Sequence, residues 1–209
     1  MAVITFPLPT ASPTLYAKTF RWERYDQDIT ARGPFGVQSV STIAPLWKVA
    51  MTFEMQSQSQ AGPYQALMMQ LDGVRNQLSL YNIGRPVPLG TYQGITGTNA
   101  ITSAAAGNTT MTITNATYAT KTLLAGDYIG VGTGLTTQVV MVTADATSNG
   151  SGVINISFLP ALRNGMTGTN ATLQYPRALF RQQQTNTGWD YSTVVVDGMS
   201  LDLLEDVRP

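Results

Sequence analysis

The stretch Pro45-Leu-Trp-Lys-Val-Ala-Met-Thr-Phe-Glu-Met55 decides the fold class. Trp47, Val49, Met51, Phe53 and Met55 alternate with Lys48, Ala50, Thr52 and Glu54. A period of two with one apolar face marks a half-buried antiparallel strand. The pattern spreads outward from there. Residues 17–28 read as a strand carrying Phe20, Trp22 and Tyr25, and Val37–Ile43 and Gln77–Ile83 as two more. Tyr191–Val196 and Met199–Leu204 read as a hairpin joined by Asp197-Gly198, a pair that accepts the positive φ of a tight turn. One helix interrupts the strands. In Ala61–Gly73 the apolar Tyr64, Leu67, Met68 and Leu71 recur at helical spacing, Pro63 suits a first turn, and Gly73 suits a C-terminal stop.

The charges then vanish. Residues 91–175 hold only Lys121, Asp127, Asp145 and Arg163, out of twenty-four charged side chains in the chain. A near-duplicate brackets this quiet stretch: Gly94-Ile-Thr-Gly-Thr-Asn-Ala100 returns as Gly165-Met-Thr-Gly-Thr-Asn-Ala171. Between them, Thr110–Ala116, Asp127–Gly132, Gln138–Ala146, Gly152–Pro160 and Ala171–Tyr175 read as short strands. Ser148-Asn-Gly-Ser-Gly152 is a hairpin signal. Five short strands suggest a small barrel or sandwich. The expected architecture is therefore all-β. A β-sandwich host with one short helix, residues 1–90 and 176–209, is interrupted by a small inserted β domain, residues 91–175. The repeated segments either pair as an antiparallel neck or coincide in a region rich in Thr, Gly and Asn.

Composition excludes more than it assigns. The chain has 209 residues, a formal net charge of zero and only 11% charged side chains. A balanced surface exerts no long-range pull on phosphate, so nucleic acid is not an expected partner. There is no cysteine and no histidine. Disulfides, thiolate metal sites and Ser–His–Asp or Cys–His catalysis are excluded. No cofactor and no metal are expected. No stretch approaches the roughly 18 consecutive apolar residues of a membrane span, and the N-terminus lacks the basic and apolar regions of a secretory signal. Pro7, Pro9 and Pro13 make residues 1–15 an extended arm, either free or docked on a neighbouring subunit.

Few constellations suggest chemistry. Asp197, Asp202, Glu205 and Asp206 form the densest acidic group, read as a solvated or interfacial patch. Gly130-Val-Gly-Thr-Gly134 lacks the lysine of a phosphate loop and reads as a turn. Arg21, Arg24 and Arg32 lie among Trp22, Tyr25 and the neutralising Glu23, Asp26 and Asp28. Arginine and aromatics together are enriched at subunit interfaces. Phe20, Arg21, Trp22, Arg24 and Tyr25 are the candidate interface residues. On this reading Trp47→Asp abolishes folding, whereas Trp22→Ala spares the monomer and weakens assembly.

Several segments in order resemble a bacteriophage tail protein. These are Leu46-Trp47 in its strand, the helix ending Gln70-Leu-Asp-Gly73, and the closing Pro88-Leu-Gly90. Leu124-Ala-Gly-Asp-Tyr-Ile129 and Phe158-Leu-Pro-Ala-Leu-Arg163 follow. Across nearly its full length the chain resembles the distal tail protein of long-tailed phages, a tail-tip or baseplate subunit. The resemblance implies a virion protein assembled in the host cytoplasm, with a β-sandwich that forms a homohexameric ring. It implies an OB-like or galectin-like insert, and partners in the tail tube protein above and the hub and fibre proteins below. An alternative is a receptor- or carbohydrate-binding module acting through the insert, although its sparse aromatics, Tyr118, Tyr128, Phe158 and Tyr175, argue against a saccharide face. A third reading, a carboxylate glycosidase, requires two buried carboxylates facing a cleft.

Overall fold

The computed structural model of the chain describes residues 2–6, 17–26, 28–34, 36–41, 45–93, 99–115, 117, 119–168, 170–184 and 188–206. Its first strands are β1 (Val3–Thr5), β2 (Ala17–Tyr25), β3 (Asp28–Gly33), β4 (Gly36–Ser41), β5 (Leu46–Phe53) and β6 (Gln56–Ser57). Helix α1 (Gln58–Leu71) and β7 (Gln77–Tyr81) follow. The charge-poor region contributes β8 (Ala100–Ile101), β9 (Thr110–Thr114), β10 (Thr122–Leu123), β11 (Tyr128–Val131), β12 (Gln138–Val142), β13 (Ala146–Thr147) and β14 (Val153–Leu159). The last four are β15 (Arg177–Gln182), β16 (Asp190–Tyr191), β17 (Val195–Asp197) and β18 (Ser200–Glu205). The chain is an all-β protein with one short helix.

Six strands make the larger sheet, in the order β1-β7-β15-β18-β5-β2. Only β1 runs parallel to its neighbour; the other pairs are antiparallel. Trp47, Val49, Met51 and Phe53 of β5 all turn to one face and are buried, as their alternation requires. Register places Leu203 opposite Val49 and Leu201 opposite Met51 on that face. Strands from before and after the quiet stretch therefore interleave in one sheet: β7 lies beside β15, and β18 lies between β15 and β5.

The apolar face is covered in two halves. Over one end lies α1, burying Ala61, Tyr64, Leu67, Met68 and Leu71. Phe53 meets Tyr64 edge-on at 5.1 Å. Over the other end lie residues of β11 and β12: Val139 is part of this core, and Tyr128 and Met141 pack against it. The helix begins at Gln58, earlier than its periodicity suggests, and Pro63 lies inside it. Its start is fixed by tertiary bonds rather than by Pro63. The amide of Gln58 donates to the Val194 carbonyl oxygen, and Ser57 Oγ donates to Gln60 Oε1. Its end is as expected, with Asp72 and Gly73 both at positive φ.

The second sheet has the order β11-β12-β14-β9-β8, antiparallel throughout. Its core draws every buried member from residues 92–173. Residues 171–175 do not form the strand read there. Residues 170–172 bridge the two edges of the sheet instead. Thr172 exchanges both backbone bonds with Gly130 on β11, at 2.8 and 2.7 Å, and Ala171 N donates to Asn99 O at 2.7 Å beside β8. The open sheet is thereby closed on itself. Residues 94–98 of the first repeat lie outside the described residues. Its end, Asn99 and Ala100, runs antiparallel against Asn170 and Ala171 of the second repeat. That is the neck geometry over these residues.

Three further readings change. Residues 3–6 of the proposed arm are not free: β1 adds to β7 and Phe6 is fully buried. The rest of the arm, 7–16, lies outside the described residues, as do residues 42 and 43 of the Val37–Ile43 reading. Tyr191–Val196 is not one strand but a hairpin, β16 against β17, closed by the Ser192 N to Val195 O bond. Asp197-Gly198 is then a corner rather than a hairpin turn. It carries the chain from the small sheet β16-β17-β6 into the large one, with Gly198 at φ 74°.

Trp22 is half-buried and packs on the large core. Its ring stands 5.7 Å from Trp47, 5.3 Å from Phe180 and 6.0 Å from Tyr128. Trp22→Ala should therefore destabilise the monomer by about 3 kcal/mol, measured as a fall in the urea midpoint at unchanged slope. Trp47→Asp should abolish the cooperative transition, because a carboxylate in this aromatic cluster has no access to water. A folded Trp47→Asp protein would overturn the assignment of the sheet face.

Candidate functional site: the seam and the free edge

Two places stand out: the seam between the sheets, and the edge at β2 with the hairpin that extends from it. At the seam, β11 and β12 are apolar on both faces. Ile129, Val131, Val140 and Val142 point into the small core, while Tyr128, Val139 and Met141 face the large one. The run Gln138-Val-Val-Met-Val142 is the sequence mark of a strand buried on both sides. Trp47 Nε1 donates to the Val139 carbonyl oxygen at 2.7 Å, which ties the two cores through one buried indole.

Two of the four charges in the quiet stretch secure this seam. Asp127 is buried, and its two carboxylate oxygens accept from Leu89 N at 2.7 Å and Leu124 N at 2.8 Å. The approach of the chain is close enough there to require glycine: a Cβ on Gly90 would sit 2.1 Å from the Thr122 carbonyl oxygen. Arg163 reaches across to the large sheet. Its Nη2 donates to Glu205 Oε2 at 2.9 Å and to the Pro45 carbonyl oxygen at 2.9 Å. Trp47 N donates to the same Glu205 oxygen at 3.0 Å. Of the other two charges, Asp145 accepts from Ala125 N at 2.8 Å within the insert.

The acidic C-terminal group is divided: Asp197 is exposed, Asp202 and Asp206 are half-buried, and Glu205 is buried. Glu205 is 3% exposed. Asp206 bonds Arg181 Nε at 2.6 Å and also Gln77 Nε2. Asp202 accepts from Gln184, and Asp197 stands opposite Asp190 across the small hairpin. Burial pushes the Glu205 carboxyl above the usual carboxylate range, against the opposing pull of Arg163 and the backbone donors. Among the described residues, no three His, Cys, Asp or Glu side chains come together. No described helix is long and apolar enough to cross a membrane.

The candidate interface residues divide by face. Phe20 and Trp22 turn inward and pack on the large core. Arg21 points outward beside Glu23 at 2.6 Å, and Arg24 pairs with Asp26 at 2.8 Å. Tyr25 is exposed at the end of the strand. The nine residues of β2 pair with β5 on one side, and among the described residues no strand pairs with the other side. Beyond it, β3 and β4 pair only with each other. Asp28, Ile29, Thr30, Ala31 and Arg32 are all exposed, with Ile29 at 64%. The sequence reading ended the preceding strand at residue 28 and assigned no strand over 29–36, and so missed β3. The signal was the alternation of Ile29 and Ala31 with Asp28, Thr30 and Arg32.

The seam should respond unequally to its two charges. Arg163→Met leaves an ionised carboxylate buried and should cost about 3–5 kcal/mol near neutral pH. Glu205→Gln strands the Arg163 guanidinium without its counter-charge but keeps an oxygen that accepts from Trp47 N and Arg163, so it should cost less than Arg163→Met, about 1–3 kcal/mol. The pH dependence has a definite sign. The folded pKa of Glu205 lies above the unfolded one, so the native chain keeps this proton to higher pH. Stability from this group falls as pH rises through that window and returns below the ordinary carboxylate range. Chemical denaturation of Arg163→Met across pH should show recovery on acidification that Arg163→Met/Glu205→Gln lacks.

No protein-family model matches this chain, and no curated protein matches it.

Proposed function

We propose that the chain is a structural virion protein, a ring-forming adaptor at the distal end of a phage tail. In this reading it joins the tail tube to the tip hub and fibres and binds copies of itself. The observation that carries the reading is the edge of β2, continued by the β3–β4 hairpin, with which no other strand pairs among the described residues. A two-stranded hairpin is marginal alone in water. An unpaired nine-residue edge invites strand addition from another chain. Ring closure needs a head-to-tail contact, hence two different faces on each copy. The edge with its hairpin supplies one. The other candidate is the face of α1 and the β16–β17 hairpin, where Met69, Tyr191 and Val194 are each more than 60% exposed.

The resemblance in Leu46-Trp47, Gln70–Gly73, Pro88–Gly90, Leu124–Ile129 and Phe158–Arg163 supplies the phage context. The rigid seam fits a load-bearing part. The alternative, a carbohydrate-binding insert, lacks an aromatic platform among the described residues. Tyr92 and Phe158 are buried, Tyr128 faces the large core, and Tyr175 stands exposed without a second exposed ring among the described insert residues; Tyr118 lies outside them.

Light scattering of the purified chain across a concentration series tests the proposal. The expected result is a hexamer or larger ring, formed alone or on tail-tube rings used as a template. Ile29→Asp should change monomer stability by less than about 0.5 kcal/mol while weakening association about 10-fold or more. A strict monomer at every concentration, with and without the template, overturns the adaptor reading.

A further inference from the structure

A cleft of about 270 Å³ opens where the two sheets meet. From the large sheet, its wall takes Ser79, Arg177 and Leu179; from the insert side, it takes Gly130, Gly132, Thr137, Thr172 and Tyr175. The described wall thus combines one guanidinium, four hydroxyls and two glycines with no carboxylate. We propose that this cleft is a binding site for a carboxylate of the size of an Asp or Glu side chain, free or borne on an acidic peptide.

Three observations carry the assignment. The first is the chemistry of the wall: hydroxyls and a guanidinium are donors to an anion, and the volume suits a side chain rather than a drug-sized ligand. The second is the preparation of Arg177. Its Nη1 donates to the Phe6 and Ser79 carbonyl oxygens at 2.9 Å each, and its Cζ lies 4.9 Å from the centre of the Tyr81 ring. The side chain is held by β1, β7 and an aromatic face, so little freedom is lost when it engages a ligand. Burial lowers the affinity of this guanidinium for its proton.

The third is strain at the rim. Tyr175 has φ 51°, a conformation a bulky residue rarely adopts. It is held there by its amide bond to the Pro86 carbonyl oxygen and by edge-on contact with Tyr81 at 5.2 Å. Its phenol is half exposed at the mouth of the cleft. Strained residues of this kind gather at ligand sites, because the surroundings must override the local preference. Gly130 and Gly132 keep the floor open. A Cβ on Gly130 would press on Pro176 and Thr172 at 3.3–3.4 Å. The site stands independently of the ring assembly proposed above.

The test uses the full chain, labelled for NMR, titrated at constant ionic strength with acetate and separately with a blocked acidic tripeptide. Acetamide and chloride serve as controls. The expected result is saturable shifts at the Arg177 Nε–H and the Gly130 and Gly132 amides with the carboxylates, and none with acetamide. Arg177→Gln should weaken binding about 10-fold or more. Because Arg177 also braces β1, Thr172→Asp provides the second variant: Thr172 is exposed, and the new carboxylate should exclude the ligand while leaving the remaining spectrum unchanged. Tighter binding of the tripeptide than of acetate identifies a peptide-borne carboxylate; equal or weaker binding identifies a free one. Shifts that match chloride, or that persist undiminished in Thr172→Asp, overturn the proposal.

Discussion

The bond from Trp47 Nε1 to the Val139 carbonyl oxygen is the contact on which the rest of the molecule turns. It joins a strand of the large sheet to a strand of the small one inside a cluster formed with Trp22, Tyr128 and Phe180. A buried indole N–H is costly without an acceptor, and β12 supplies this one. The apolar face of the large sheet is too long for α1 alone to cover. The insert supplies the remaining cover, so it is a structural half of the core and not an appendage on a neck.

That dependence explains where the few charges of the quiet stretch are spent. Arg163 and Asp127 each satisfy groups that the seam removes from water. A buried pair of this kind adds little net stability against an apolar replacement, but it penalises any other seating of the two sheets. The single acceptor oxygen of Glu205 shared by Arg163 and Trp47 N fixes the same docking from a second direction. The seam therefore resists sliding, and the cleft that includes Arg177 inherits a fixed shape from it.

The other end of the molecule follows opposite physics. At β2 and the β3–β4 hairpin, no further strand pairs among the described residues, and the side chains of Asp28–Arg32 are exposed. A rigid body with an edge that no described strand pairs would suit the assembly role proposed above. The same edge is a hazard in isolation. The alternation of Lys18, Arg21, Glu23 and Arg24 along β2 offers some protection against indiscriminate pairing.

Much was legible in the sequence where one residue pattern answers to one environment. The period of two over 46–53 and the helical spacing of Tyr64, Leu67, Met68 and Leu71 each name a single buried face, and both faces are buried as read. The charge gap over 91–175 likewise matches a region with its own core. What the chain alone did not reveal were features created by partners distant in sequence. Trp22 carries the same alternation whether its face meets solvent, a neighbour or Trp47; the tertiary approach of Trp47, Phe180 and Tyr128 half-buries it. Asp197-Gly198 permits a tight turn, but the hairpin β16–β17 takes the preceding residues and leaves it a corner. Glu205 and Asp206 read as surface carboxylates until Arg163 and Arg181 are brought to them from positions far along the chain. Local pattern determined which residues form strands and which face is apolar; the tertiary fold alone decided what covers each face, because burial is a property of pairs of surfaces.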